Sequence, residues 1–318
     1  MTAIKEENLT KNKNYRGLTS VLILLFVIPF FVLGGLNSTT HPWVLNYQYF
    51  FLAGLAIGLI YGIYEITNFI FPKSKDIYKT LTFFITNEFL IGLLYLWYCL
   101  SILLGGMHNN IGIYFGFLLV IAAVNAFICF LYKEKWNNWF VYIGILFLLS
   151  VFFLSLFYTN TKWGWPVTFM FILITVCTDT FAYLGGKKFG KTPAFPKTSP
   201  NKTKEGLYIG YLFGIGLGII WALIYSLAIG DSGNILSRPN PQGKIEIVSS
   251  SAFVAIAIIV ALIAPFGDLL FSKIKRLYNK KDYSNLLPGH GGMLDRVDSH
   301  IVAFSTGTLL LLLFSAIT

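Results

Sequence analysis

Residues 251–270 read SAFVAIAIIVALIAPFGDLL, with one charge in twenty positions. They run into residues 272–298, SKIKRLYNKKDYSNLLPGHGGMLDRVD, which hold six basic and three acidic residues around Gly289-His290-Gly291-Gly292. A second apolar run, 301–317, follows. Twenty apolar residues wound as a helix cover about 30 Å, the thickness of the hydrocarbon layer. So dense a polar segment between two such runs belongs at a membrane edge, where it can handle a phosphate and a metal in contact with lipid.

The rest of the chain agrees. Of 318 residues, 56% are hydrophobic and 12% charged, with a mean hydropathy of +0.68, against about 25% charged in soluble domains. Apolar runs recur at 18–35, 47–64, 80–104, 111–132, 139–158, 164–184, 207–229, 251–270 and 301–317. This predicts an all-α, polytopic integral membrane protein with about nine transmembrane helices. A membrane barrel would instead show segments of about ten residues with alternating polarity.

Orientation follows from the basic residues. The N-terminus carries Lys5, Lys11, Lys13 and Arg16; alternate connections carry Lys73, Lys75 and Lys79, then Lys133 and Lys135. Further along come Lys187, Lys188, Lys191, Lys197, Lys202 and Lys204, and then Lys273, Lys275, Arg276, Lys280, Lys281 and Arg296. These put 21 of 24 basic residues on one face, leaving Lys162, Arg238 and Lys244 on the other. The expectation is a multi-pass protein of the cell membrane with a cytoplasmic N-terminus and an external C-terminus. The net charge of +10 is then mainly topological, with no nucleic-acid partner implied, although a basic rim attracts anionic lipids and nucleotides.

Cys99, Cys129 and Cys177 all fall inside predicted spans with no metal-type spacing, and read as buried thiols. The first run, followed by no clear cleavage site, reads as an uncleaved span. Residues 1–160 form an N-terminal set of five helices with short connections. Residues 161–318 form a C-terminal region whose two long polar connections, 185–206 and 267–300, should carry the chemistry. The external segment 230–249, rich in Gly, Pro, Asn and Ser, reads as an irregular loop.

Carboxylates within a membrane are costly and mark cavities or partners. Asp268 lies roughly 26 Å into its span and Asp179 roughly 23 Å into its own, with Glu65 at a similar level. All three reach the rim where Asp295 and Asp298 open the last span. Asp295 and Asp298 are three apart, on one helix face. With Asp268 they could hold Mg²⁺, which favours a few carboxylates plus substrate phosphates and water; capping a helix start and pairing with Arg296, Lys275 or Arg276 is an equal alternative on spacing alone. Glu88, near mid-membrane, reads as a hydrogen-bonded structural carboxyl.

Gly289, Gly291 and Gly292 permit positive φ and close backbone approach, which suits an anion nest or a plain turn. His290 could hydrogen-bond a phosphate or act as an acid; as a lone loop histidine it could equally be a solvated surface group. Lys275, Arg276, Lys280 and Lys281 could grip phosphate or simply snorkel. In the earlier connection, Ser199, Lys202 and Thr203 stand at the foot of a helix, where hydroxyl and ammonium donors meet anions; a capped helix start explains them as well.

Taken together, Ser272-x-Ile274-Lys275-Arg276, Lys281-Asp282-x-Ser284 and Leu287-Pro288-x-His290-Gly291-Gly292-Met293-x-Asp295-Arg296-Val297-Asp298 resemble the signature of the phosphatidate cytidylyltransferases, or CDP-diacylglycerol synthases. Gly267-Asp268 looks like the pair these enzymes carry upstream of it, and residues 179–206, with Ser199-Pro200 and Lys202-Thr203, are similar to their second conserved loop. Phe181 departs by being bulky where many relatives have a small residue, and the external loop is long.

The resemblance implies transfer of CMP from CTP to phosphatidate with Mg²⁺, releasing pyrophosphate; a second cation, monovalent or divalent, and a homodimer are further options. It assigns Asp268, Asp295 and Asp298 to the metal, and Lys275, Arg276, Arg296 and His290 to catalysis. Asp179, Ser199, Lys202, Thr203, Lys281, Asp282, Gly291 and Gly292 fall to substrate. An ion transporter and another CTP-using lipid enzyme, a polyprenol or phytol kinase, are the rival readings.

Overall fold

The computed structural model describes residue 32 and residues 44–72, 76–103, 111–196, 198–229, 234–239, 245–284 and 291–317. Eight helices dominate: α1 (Val44–Ile70), α2 (Ile77–Leu103), α3 (Ile111–Leu131), α4 (Trp136–Tyr158), α5 (Trp165–Phe189), α6 (Lys204–Ile229), α7 (Ser250–Leu277) and α8 (Leu294–Ile317). A single π-helical turn, Thr159–Trp163, joins α4 to α5. Among the described residues seven helices are long and apolar enough to cross a membrane, and α3 contributes a shorter apolar stretch, 116–131. The protein is therefore a polytopic helical membrane protein. The first apolar run of the sequence, 18–35, lies outside the described residues save for residue 32.

Helix α1 packs on α2 and α4, while α5, α6, α7 and α8 pack on one another. The two groups meet where α4 lies against α8. There Phe304 takes Phe152 edge-on at 5.8 Å and Phe171 at 5.4 Å. Leu119 and Phe130, on the outside of α3, are 72% and 70% exposed; such side chains suit the lipid-facing surface of a membrane helix.

Helices α5 and α6 approach closely because one face of each is nearly bare. Gly206, Gly210, Gly214 and Gly218 recur every fourth residue on α6 and face Ile174, Thr178, Ala182 and Gly186 on α5. A Cβ at position 210 would lie 2.5 Å from the Thr178 carbonyl oxygen, which only glycine avoids. Small residues at this spacing let membrane helices pack backbone to backbone. Phe181 finds its own solution, stacking on Phe213 at 4.0 Å and 8°.

A polar clasp ties α1 to α4 together. Asn87 and Asn125 exchange hydrogen bonds of 2.9 and 2.8 Å, and the Tyr142 hydroxyl lies 2.8 Å from Thr67 Oγ1 and accepts from Asn87 at 3.2 Å. Buried amides are held this way because an unmet partner costs its full desolvation.

Three expectations change. The segment 230–249 is not wholly irregular: β3 (Asn234–Pro239) pairs antiparallel with β4 (Ile245–Ser249), since Ile245, Ile247 and Val248 supply a β-branched run that the Gly- and Pro-rich average hides. Glu88 is not hydrogen-bonded through Oε1 among the described residues. It lines an apolar groove of about 620 Å³ between α1 and α2. Cys177 is only partly buried, whereas Cys129 is buried; the Cys99 side chain lies outside the described residues.

Candidate active site

Both polar connections reach the same cavity. After α5 ends at Phe189, β1 (Pro193–Phe195) and β2 (Ser199–Thr203) form an antiparallel hairpin leading into α6. Thr203 Oγ1 accepts from the Gly206 amide at 3.2 Å, capping α6. Glu205 in the first turn accepts from the Lys191 and Thr192 amides and the Thr192 hydroxyl. Capped and clasped, the hairpin presents Lys202 to α7, where its ammonium lies 2.5 Å from Asp268 Oδ2. Asp268 Oδ1 accepts from Ser272 one turn further on, at 3.0 Å.

Gly267 explains why Asp268 reaches α8. A Cβ on it would stand 3.0 Å from the Ser299 Cα and nearer still to the Asp298 carbonyl oxygen. The α7 and α8 backbones therefore nearly touch, and Asp298, 8% exposed, faces the charges of Asp268, Lys275 and Asp179. Pro265, one turn earlier inside α7, withholds a backbone donor and lines the cavity.

Asp295 is committed differently. Its Oδ1 takes Lys275 Nζ at 2.7 Å, and its Oδ2 accepts from the Gly292 and Tyr283 amides, each at 2.9 Å. Gly291 just before it has φ +77°, a conformation that suits glycine. Burial raises the Tyr283 hydroxyl above its usual range, with Asp295, Asp298 and Glu65 adding to it, so this phenol stays neutral. The hydroxyl donates to the Phe271 carbonyl at 3.2 Å.

The cavity encloses about 590 Å³. Asp179, Asp268, Asp282, Asp295, Asp298, Lys202, Thr203, Lys275 and Arg296 line it, as the sequence reading expected of a shared site. Ser199, Arg276 and Lys281 do not: Ser199 pairs with Phe195 in the hairpin, Arg276 is exposed and donates to the Lys280 carbonyl at 3.3 Å, and Lys281 is exposed. Gly291 and Gly292 form the turn behind Asp295 and are not in the wall. His290 lies outside the described residues. Lys187, Asn201 and Ser299 belong to the wall as well. Ser299 could have been found as the residue after Asp298, and Lys187 by extending α5 past Leu184.

Among the described residues the wall supplies hard oxygen donors from carboxylates, an amide and hydroxyls, a donor set suited to Mg²⁺. As placed, no three acidic, histidine or cysteine side chains among the described residues converge tightly enough to hold a metal. Asp268, Asp295 and Asp298 are thus not gathered into one ligand set. Asp295 turns to Lys275 and the amides, while Asp179 joins Asp268 and Asp298 in one electrostatic cluster beside Lys202 and Ser299.

A bundle of membrane-crossing helices with a charged cavity of carboxylates and lysines at its helix ends defines a polytopic helical membrane protein with a polar site. The chain belongs to the cytidylyltransferase family, whose model matches residues 14–314. It is 37% identical over 156 residues to the phosphatidate cytidylyltransferase of Thermotoga maritima, covering 49% of this chain and 53% of that one. The enzyme of the same name from Helicobacter pylori is 37% identical over 149 residues, 46% and 47% of the two chains. That of Bacillus subtilis is 32% identical over 175 residues, 55% and 56%. The chain thus spans about half the length of the curated relatives it matches.

Proposed function

We propose that the protein is a CTP:phosphatidate cytidylyltransferase, a nucleotidyltransferase of phospholipid biosynthesis that joins CMP to phosphatidate and releases pyrophosphate, giving CDP-diacylglycerol. The observation that carries the reading is the convergence of Lys202, Lys275, Asp268 and Asp298 on one cavity at the ends of membrane-crossing helices, in a chain whose family is named for cytidylyl transfer. The relatives named phosphatidate cytidylyltransferases supply the acceptor lipid.

The phosphatidate phosphomonoester is already ionised near neutral pH, so its oxygen attacks the α-phosphorus of CTP without a dedicated general base. Positioning and charge neutralisation are the larger needs. Lys202 and Lys275 sit inside the cavity and Arg296 in its wall, where they would bear on the phosphates. Thr203, Asn201 and Ser299 offer hydrogen bonds. When bound, Mg²⁺ would be held by Asp268 and Asp298, with Asp179 beside them and Asp295 next to Lys275, and would screen phosphate charge. Acyl chains stay in the bilayer while the headgroup enters the cavity. The basic bias of the connections supports a cytoplasmic cavity and N-terminus, an external C-terminus and nine spans.

The test is phosphatidate-dependent release of pyrophosphate from CTP by the purified protein in lipid vesicles with Mg²⁺. Release that depends on both substrates is expected. CTP turnover without phosphatidate, or none with it, contradicts the reading.

A further inference from the structure

Glu65 lies in α1, far from the cavity in sequence and absent from its wall, yet it is 2% exposed and fully engaged. Its Oε1 accepts from the Ser284 hydroxyl at 2.5 Å and its Oε2 from the Leu294 amide at 2.8 Å. Those two partners flank residues 285–293. Leu294 opens α8, so its N–H is one of the four donors that a helix start leaves without an internal partner. The carboxylate meets that need and holds the other side of the connection with its second oxygen.

The neighbouring contacts point the same way. A Cβ on Gly292 would overlap Glu65 Oε1, so the turn must be bare there for the carboxylate to reach. One turn along α1, Phe69 offers its carbonyl to Lys280 Nζ at 2.8 Å and its ring to the same ammonium at 4.4 Å. The Tyr283 ring stands 4.5 Å from Phe69. Residue 295 follows directly, with Asp295 joining Lys275, the Gly292 amide and the Tyr283 amide. Anything that loosens Leu294 or Ser284 therefore shifts the Lys275–Asp295 pair and Arg296 relative to the cavity.

We infer that Glu65 is a positioning residue for the cavity, a clasp from the N-terminal helices that holds both ends of the signature connection and sets Lys275, Asp295 and Arg296 against the phosphates. The inference rests on the cytidylyl-transfer reading above for its kinetic consequence, but not for the clasp itself. The N-terminal helices then contribute to turnover as well as to membrane anchoring.

The test uses the full chain in lipid nanodiscs and compares wild type with Glu65→Ala, Glu65→Gln and Ser284→Ala. Glutamine keeps a carbonyl for the Leu294 amide and offers an N–H to the Ser284 hydroxyl, which can accept, so it should restore what alanine loses. Two quantities are read per mole of folded protein: kcat for CMP transfer, and hydrogen exchange at the Leu294 amide. In Glu65→Ala, kcat should fall roughly tenfold to a hundredfold, as expected for a small misplacement of catalytic groups, with a smaller change in KM. The Leu294 amide should lose its protection.

Ser284→Ala, which keeps the carboxylate and should fold even if Glu65→Ala does not, should lower kcat more modestly. The double variant should be no worse than Glu65→Ala alone. An alanine variant at Glu65 with wild-type kcat, or Leu294 exchange unchanged in it, overturns the inference. So does a glutamine variant as impaired as alanine. Where Glu65→Ala yields no folded protein, wild-type kcat in Ser284→Ala overturns it. If wild type itself transfers no CMP, the proposed function fails, and Leu294 protection in wild type and Glu65→Gln against its loss in Glu65→Ala decides the clasp separately.

Discussion

Gly267 on α7 faces the backbone of Asp298 on α8 with no room for a side chain between them. The contact sets the distance between the two helices that bring Asp268 and Asp298 to the cavity. Gly267→Ala must push them apart or strain both. We expect a loss of about 1–3 kcal/mol, typical of overpacking, and at least a tenfold fall in CMP transfer. Thermal unfolding in detergent and turnover by the same sample check the two parts.

The Lys275–Asp295 pair is nearly dry, its side chains 11% and 7% exposed. Asp295→Asn keeps an acceptor for the Gly292 and Tyr283 amides but breaks the buried ion pair of the lysine, which should cost about 3–5 kcal/mol. It should also abolish transfer while the protein still inserts. Adding Lys275→Met should restore most of the stability and none of the activity. Activity returning with stability would make the pair structural only.

Asn87 and Asn125 satisfy each other inside the N-terminal helices and line no part of the cavity. Asn87→Leu strands the partner amide and should destabilise by about 1–3 kcal/mol. The double leucine variant should lose less than the single changes add up to, because no polar group is then left unmet. Turnover per folded molecule should stay at the wild-type value in both, which unfolding and kinetic measurements on one preparation would show.

Glu134, between α3 and α4, predicts a pH effect on stability. Burial raises its carboxyl, but hydrogen bonds from Lys79 and Asn138 and the Lys79 charge outweigh that and hold it below the usual carboxylate range. The same Asn138 accepts from the Tyr278 hydroxyl at 3.0 Å. Burial and the nearby Glu134 push that hydroxyl up to about 12, so it is neutral throughout the range of interest. A carboxyl whose pKa is lower folded than unfolded stabilises above its unfolded value and loses that contribution as pH falls through the folded one. Wild type should therefore lose stability below about pH 4, and Glu134→Gln should be less stable near neutrality with a shallower acid loss. Identical pH profiles in the two proteins would remove Glu134 from the account.

Much of the fold was legible because lipid allows little else: apolar runs of bilayer length must be helices, and the helices lie close to where the runs fall. Their ends were less legible. Helix α1 continues past residue 64 to Ile70, and α5 past residue 184 to Phe189, because a helix can project beyond the hydrocarbon on polar residues that hydropathy does not count. The site was legible as a set of residue types, and Asp179, Asp268, Asp295 and Asp298 do share one cavity wall. Their individual contacts were not, since spacing along a helix cannot say that Asp295 turns toward Lys275 while Asp179 joins Asp268 and Asp298. The glycines at 206, 210, 214 and 218 recur at a close-packing spacing that counting apolar runs passes over, whereas the reach of Glu65 to Leu294 links residues too far apart for any local pattern.

The most direct measurement follows phosphorus from CTP into lipid. With protein in phosphatidate vesicles, CTP labelled at the α-phosphate should pass its label to the lipid and CTP labelled at the γ-phosphate should not, the γ label leaving as pyrophosphate. Lipid that acquires the γ label and not the α label would mean a kinase, and would contradict cytidylyl transfer as the chemistry of this cavity.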